Sequence, residues 1–427
     1  MLYCIGIDLG TSGCRGVGID RQGRVLATVQ HPLPPSTSPH PGWMEQSPED
    51  WWQAVIAVIR CLQQAIPDHQ AAAIAIDGTS TTLLLTDGQG RPLTAGLMYN
   101  DQRAREESRA LEALAPPQAM VDSPSSSLSK LLWLLRHSSP SHPHALHQSE
   151  WITGRLCGRF DLGDENNCLK LGYDPLRQRW PDWLGQLPLP PGILPDVVPP
   201  GTPIGKVSRT CVAQTGLPPA CRVVAGTTDS TAAALAAGAT LPGDAVTSLG
   251  STLVCKVLSE QPLFNREYGI YSHRIFGKWL TGGASNVGGA VLRRYFTDEA
   301  LESLSRQIDP RRNLCLNYYP LPAKGERFPC NDPEMQPRLT PVPKSRVRFL
   351  QGLLEGITNV EKTAYARLQA LGAPAPRRIF TSGGGAKNPA WMSMRQRILG
   401  VPVLPANHGQ AAHGAAICAL RGISRAQ

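Results

Sequence analysis

One local pattern recurs along this chain and limits the folds open to it more than any other feature. In Tyr3-Cys-Ile-Gly-Ile-Asp8-Leu-Gly-Thr-Ser-Gly13 an apolar run ends on an acid and a Gly/Thr/Ser turn, and a second extended run follows near Arg15–Ile19. That is how a β-hairpin reads. The turn Asp20-Arg-Gln-Gly23 leads into a third extended run, Arg24–Val29, which completes a meander. A related layout returns at Ile74-Ala-Ile-Asp77-Gly-Thr-Ser80, continuing to Asp87-Gly-Gln-Gly90, and again in the second half as Asp244–Leu249, Gly250-Ser251-Thr252 and Leu253–Lys256. One hairpin repeated at distance predicts two lobes on a similar plan.

Helical patterns at Pro48–Leu62, Ser127–Arg136, Asp229–Ala237, Phe349–Leu371 and Pro389–Leu399 alternate with extended runs, so the predicted class is α/β. The stretches Pro32–Pro41 and Leu187–Pro203 read as surface loops, as does the Ser/His/Pro segment Ser138–His147. At 427 residues the chain exceeds one ordinary domain of ~100–200 residues, and a large core is available.

Composition excludes several classes. The start lacks a basic region followed by an apolar stretch and cleavage site, and no apolar run is long enough to cross a bilayer. Eleven cysteines without a C-x-x-C pair indicate neither a disulfide framework nor a zinc ribbon, so a reducing, cytoplasmic setting is expected. The net charge of +9 comes from arginines spread along the chain rather than one basic run with aromatics, so neither nucleic acid nor membrane is an expected partner.

The chemistry-bearing candidates are glycine-rich turns and isolated acids at strand ends, the parts needed to hold a polyphosphate and a divalent cation. A G-x-x-x-x-G-K-[ST] loop is absent. Two hairpin turns offer backbone N–H groups and hydroxyls instead: Gly10-Thr11-Ser12 and Gly250-Ser251-Thr252. Each alone is an ordinary tight turn; their pairing, one per half, is what singles them out. Asp8, ending an apolar strand, is a Mg2+ ligand or a turn-forming acid. Asp229 opens an Ala-rich helix after Arg222–Ala225, as a first-turn acid worth ~1 kcal/mol or as a general base.

The run Ile379–Trp391 joins a strand, three glycines including Gly384 and Gly385, and a helix start at Asn388-Pro389. It is a plain loop, or a surface on which a flat nucleotide lies with Asn388 and Trp391 beside it. Thr281–Gly289 is a candidate second wall of the same site. His137, His142, His144 and His147, with prolines between them and no acidic or cysteine partner expected, read as a solvated loop rather than a metal site. The Trp43–Trp52 stretch reads as core packing.

Taken in order, Asp8–Gly13, Trp43-Met-Glu-Gln-Ser-Pro-Glu-Asp-Trp51, Gly226-Thr-Thr-Asp229, Thr247–Ser251 and Ser382–Asn388 resemble the FGGY carbohydrate kinases nearly end to end. The resemblance implies a two-lobed actin-like ATPase (ribonuclease H-like) fold with a central nucleotide cleft. It implies a sugar-binding lobe over residues 1–236 and a nucleotide-binding lobe over 237–427, with a last helix, about 410–427, packing back on the first. ATP and Mg2+ are the implied cofactor set.

It places the Mg2+-associated acid at Asp8, the phosphate turn at Gly10 and Thr11, the base at Asp229, and sugar contacts at Ser80, Ser230 and Asp101. Gly384, Gly385, Asn388 and Trp391 fall around the nucleotide. The runs Ile76–Ser80, Leu169–Pro175, Gly226–Thr231 and Leu280–Asn286 look most like the D-ribulose kinase, or xylulose kinase-like, branch, which implies phosphorylation of D-ribulose to the 5-phosphate. D-xylulose, another pentulose or a polyol is the alternative acceptor, and a non-catalytic ATP- or sugar-binding protein the alternative class. Two departures bear on the sugar. The family's Trp-x-Asp-x-Arg appears as Tyr99-Asn-Asp101-Gln-Arg103, and Gln410 stands where the family commonly has an acid.

Overall fold

A computed structural model describes residues 1–138 and 141–424. They form two compact units, one of Met1–Ala236, Arg274–Phe276 and the C-terminal stretch from Gln410, the other of Ala237–His273 and Gly277–Gly409.

The first unit is organised by β1 (Leu2–Leu9), β2 (Gly13–Ile19), β3 (Val25–Pro32), β4 (Gln70–Gly78), β5 (Pro203–Lys206) and β6 (Arg222–Thr228), in the order β5-β6-β4-β1-β2-β3. The two faces of β1 carry different residues because side chains alternate along a strand. Ile5, Ile7 and Leu9 join a core with Trp51, Val55, Ile59 and Leu62 of the helix Pro48–Ala65. Cys4 packs on the other face with Ala412, Ala416 and Ala419 of the helix Ala411–Ser424. That helix approaches so closely that a Cβ on Gly6 would fall 2.0 Å from the Ala412 carbonyl oxygen and 2.1 Å from the Ala416 nitrogen. Small residues on both sides are the condition for this contact.

A second sheet of the same unit joins Glu45–Gln46, Gly96–Leu97, Leu83–Thr86 and His144–His147. Leu83, Leu85 and Leu97 pack there against Leu128, Leu131 and Leu134 of the helix Ser127–Ser138. The layout expected at 74–90 is therefore divided: Ile74–Gly78 belongs to the large sheet, and Leu83–Thr86 pairs antiparallel with His144–His147 in the small one. This also corrects the exposed loop expected at Ser138–His147, of which 139 and 140 lie outside the described residues. Leu146 and Ala145 alternate onto the core and draw His144–His147 into the sheet.

The second unit carries β7 (Asp244–Leu249), β8 (Leu253–Ser259), β9 (Tyr271–Ile275), β10 (Lys278–Ser285), β11 (Arg378–Ser382) and β12 (Val403–Pro405), in the order β9-β10-β8-β7-β11-β12. The plan repeats. In the first unit β1 pairs antiparallel with β2, β2 with β3, and β1 continues parallel through β4 to β6. In the second, β7 pairs antiparallel with β8, β8 with β10, and β7 continues parallel through β11 to β12.

Helix Arg346–Ala370 covers the second sheet with Leu350, Leu353, Leu354 and Ile357. Arg395, fully buried, is paired with Glu361 and also donates to Thr381 Oγ1 at 2.7 Å, while Thr247 donates to Glu361. A buried ion pair with its remaining donors and acceptors used in this way fixes helix against sheet rather than adding net stability. Among the described residues no helix is long and apolar enough to cross a membrane.

Candidate active site

The carboxyl-terminal ends of β1, β4 and β6 bring three acids into one region of the first unit. In the parallel register Asp8 lies beside Asp77, and Thr227 of β6 lies on the other side of Asp77. Asp229, half-buried, opens the helix Asp229–Ala237 directly after β6 and accepts the Ser230 N–H at 2.6 Å. Asp8 is not satisfied by local backbone; Arg15, its antiparallel partner on β2, reaches its Oδ2 at 3.2 Å. Asp77 has no exposed surface, and among the described residues neither of its oxygens meets an N–H or hydroxyl donor.

Burial pushes the Asp8 carboxyl up, with Arg15 working against it. Burial pushes Asp77 up much further, reinforced by the negative charges of Asp8 and Asp229. Two neighbouring carboxyls in a low-dielectric site resist ionising together, and a cation bound between them would offset that repulsion. Two adjacent carboxylates, one of them with neither oxygen hydrogen-bonded, are a set of hard oxygen donors that fits a divalent cation such as Mg2+.

Asp77 was not assigned a role from sequence, although it ends an apolar strand just as Asp8 does. Its register with Asp8 is what gives it significance.

The Gly10–Ser12 turn joins β1 to β2 and closes with Gly10 N–H on the Gly13 carbonyl at 3.0 Å. Gln46 braces it: Nε2 donates to Thr11 O at 2.7 Å, and Oε1 accepts the Trp51 indole at 2.9 Å. Trp51 and Trp52 are fully buried, as expected of core residues, and the Trp43–Trp51 run owes part of its pattern to this brace.

Ser80 lies half-buried in the turn after β4, where Thr79 engages Gln148 Oε1 through its N–H and hydroxyl at 3.1 and 3.0 Å. Asp101 is fully buried and its carboxylate is occupied: it accepts the Met44 N–H at 2.7 Å and the Arg103 guanidinium at 2.8 Å. Arg103 in turn lies over the rings of Trp43 and Trp133, 3.9 and 4.9 Å from their centroids. Asp101 thus orients an arginine rather than presenting a free carboxylate.

In the second unit, three glycine runs distant in sequence come together. Gly289 and Ala290 donate to Gly250 O and Ser251 O at 2.8 and 3.1 Å, bringing the 281–289 run to the Gly250–Thr252 turn. Gly383, at φ +85°, comes so near that a Cβ would stand 2.6 Å from Leu249 O. Only glycine meets both demands at once. A Cβ on Gly384 would meet nothing within 4 Å, whereas Gly385 is packed against Leu249 and Trp391.

Asn388 caps the helix Pro389–Leu399 by accepting the Trp391 N–H at 3.0 Å and donates to Ser305 at 2.8 Å. Trp391 is buried with its indole on Thr358 Oγ1 at 3.0 Å. Both side chains are committed to the unit's own packing.

The histidine-rich segment also differs from a solvated loop. His147 is buried, its Nδ1 2.7 Å from Glu150 and its Nε2 2.8 Å from Ser127. Among the described residues, His147, Glu150 and Cys168 offer ligand atoms within 4.8 Å of one another. Glu150 also accepts the backbone N–H of His147 at 2.7 Å, so the group forms the cap of the helix Gln148–Cys157.

The sequence matches the FGGY family of carbohydrate kinases, N-terminal domain, over residues 3–236 and the C-terminal domain over 245–423. Xylulose kinase of Escherichia coli K12 is 29% identical over 420 residues, covering 93% of this chain and 84% of that protein. Glycerol kinase of Alkalilimnicola ehrlichii is 26% identical over 462 residues, covering 99% and 90%. Among solved structures, a "xyloylose kinase" from Brucella ovis superposes with a TM-score of 0.89 at 25% identity, over 100% of this chain and 91% of that one. The two domain matches agree with the repeated sheet plan and the two-domain actin-like ATPase fold: the chain belongs to the FGGY family of carbohydrate kinases, phosphotransferases acting on sugar hydroxyl groups.

Proposed function

We propose that this kinase transfers the terminal phosphoryl group of ATP to the 5-hydroxyl of a ketopentose, D-ribulose foremost, with Asp229 as general base. The observation that carries this is the position of Asp229, half-buried at a helix start directly after the strand that flanks Asp77. Its carboxylate takes the hydroxyl proton as the sugar oxygen bonds to phosphorus and ADP departs. Asp8 and Asp77 would hold the divalent cation, Mg2+, which would supply positive charge to offset that of the phosphates. Within the first unit, Gly10, Thr11 and Ser12 serve phosphate and Ser80 and Ser230 the sugar, while Asp101 acts through Arg103. Within the second unit, the backbone of Gly250, Ser251, Thr252, Gly384 and Gly385 serves the nucleotide, with Asn388 and Trp391 shaping that turn from behind.

D-ribulose is favoured by the runs Ile76–Ser80, Leu169–Pro175, Gly226–Thr231 and Leu280–Asn286. D-xylulose is the second reading, favoured by the names of the relatives. The test is an acceptor panel of D-ribulose, D-xylulose, L-ribulose, glycerol and gluconate with Mg-ATP, coupled ADP detection and a no-sugar control. The highest kcat/KM is expected for D-ribulose; a tenfold preference for another acceptor reassigns the sugar. ADP release that no sugar stimulates counts against transfer itself.

A further inference from the structure

Lys130, in the helix Ser127–Ser138, has no exposed surface. Burial, opposed by the charge of Asp101 and assisted by Lys170 and Arg103, brings its pKa down to about 7. An apolar side chain of the same length would fill the space without the cost of desolvating an amine. What the amine adds is two hydrogen bonds: Nζ donates to Thr81 O and to Met98 O, each at 2.8 Å. Either protonation state has the two N–H donors this requires.

Both carbonyls belong to segments already implicated in the sugar site. Thr81 follows Ser80 and has φ +70°, a left-handed conformation that β-branched residues avoid. Met98 precedes the Tyr99–Arg103 motif, and its carbonyl also accepts the Asp101 N–H at 3.0 Å. One buried side chain therefore ties a strained turn to the segment that orients Arg103.

We infer that Lys130 is a positioning residue for sugar recognition, holding the Thr79–Thr82 turn in its left-handed form and in fixed relation to the Tyr99–Arg103 segment, so that the acceptor meets a preformed Ser80 turn. This rests on the reading of Ser80 as a sugar contact. A preformed turn saves the ordering cost that binding would otherwise bear.

The test uses the full chain with Lys130→Met, which keeps length and removes the donors. The KM for D-ribulose is expected to rise at least tenfold while the KM for ATP moves less than twofold. Adding Thr81→Gly to Lys130→Met is expected to recover at least threefold, because glycine takes φ +70° without strain. Equal changes in both KM values, no change in the sugar KM, or no recovery in the double variant overturns the inference. If Lys130→Met is insoluble, Lys130→Gln, which retains an amide donor, is judged by the same split. Calorimetry of D-ribulose binding without ATP separates the two readings. A Lys130-dependent Kd without ADP release supports the positioning role and sinks phosphoryl transfer, whereas ADP release with a sugar KM indifferent to Lys130→Met sinks the positioning role alone.

Discussion

A carboxylate that accepts a proton in the transition state contributes ~10²–10⁴-fold to rate. Asp229→Ala is accordingly expected to lower kcat by at least about two orders of magnitude, with ATP affinity measured by calorimetry nearly unchanged; retained turnover removes Asp229 from the base role. Asp77→Asn keeps the shape and removes a potential cation ligand. The Mg2+ concentration for half-maximal rate is expected to rise severalfold, with Mn2+ binding followed by electron paramagnetic resonance weakened in parallel. An unchanged metal dependence leaves Asp77 a purely structural acid. Asp8 and Asp229 were legible as candidates because acids stand there at a strand end and a helix start, where a carboxylate needs a partner; Ser80 was a candidate only through the resemblance to the carbohydrate kinases. Asp77 carries the same local signal, but its meaning depends on lying beside Asp8, which no local pattern reveals.

The elements themselves were largely readable. Asp229–Ala237 and Pro389–Leu399 begin and end as their sequence signals predict, the latter with Asn388 as cap and Pro389 at its first position. Asn388 spends its Oδ1 on that cap and its Nδ2 on the Ser305 hydroxyl: one side chain cannot both hold its unit together and face a ligand with the same atoms. Pairing between elements has its own energetics, seen where Arg378 on β11 grips Asp244 on β7 at 2.7 and 3.0 Å.

Burial works to raise the Asp244 pKa, but the Arg378 hydrogen bonds and the N–H groups of Thr240 and Leu241 prevail and bring it to about 2. A depressed folded-state pKa means a stabilising contribution that is complete above the ordinary carboxylate value of ~3.9 and lost as pH falls through the folded one. Urea denaturation of wild type and Asp244→Asn is therefore expected to show a stability gap at pH 6 that narrows toward about pH 2. A gap independent of pH contradicts this assignment.

The two units share a sheet plan, yet residues from both chain ends build the first of them. The helix Ala411–Ser424 lies on β1 because Gly6 opposite Ala412 and Ala416 lets backbone meet backbone. Gly6→Val is expected to cost ~3 kcal/mol or more through overpacking, read as a lowered denaturation midpoint; a stability within error of wild type would mean that the helix docks elsewhere. The hairpins that open each sheet, the Asn388 cap and the turn glycines followed from the chain alone, since each is decided by residues within a few positions of one another and by one hydrogen-bond ladder. Folding in three dimensions was needed to set Asp77 beside Asp8, Gly383 against Leu249 and Lys130 beneath Thr81. Those meetings depend on parallel register and on closing long loops around a common core, and neither leaves a local trace in composition or periodicity.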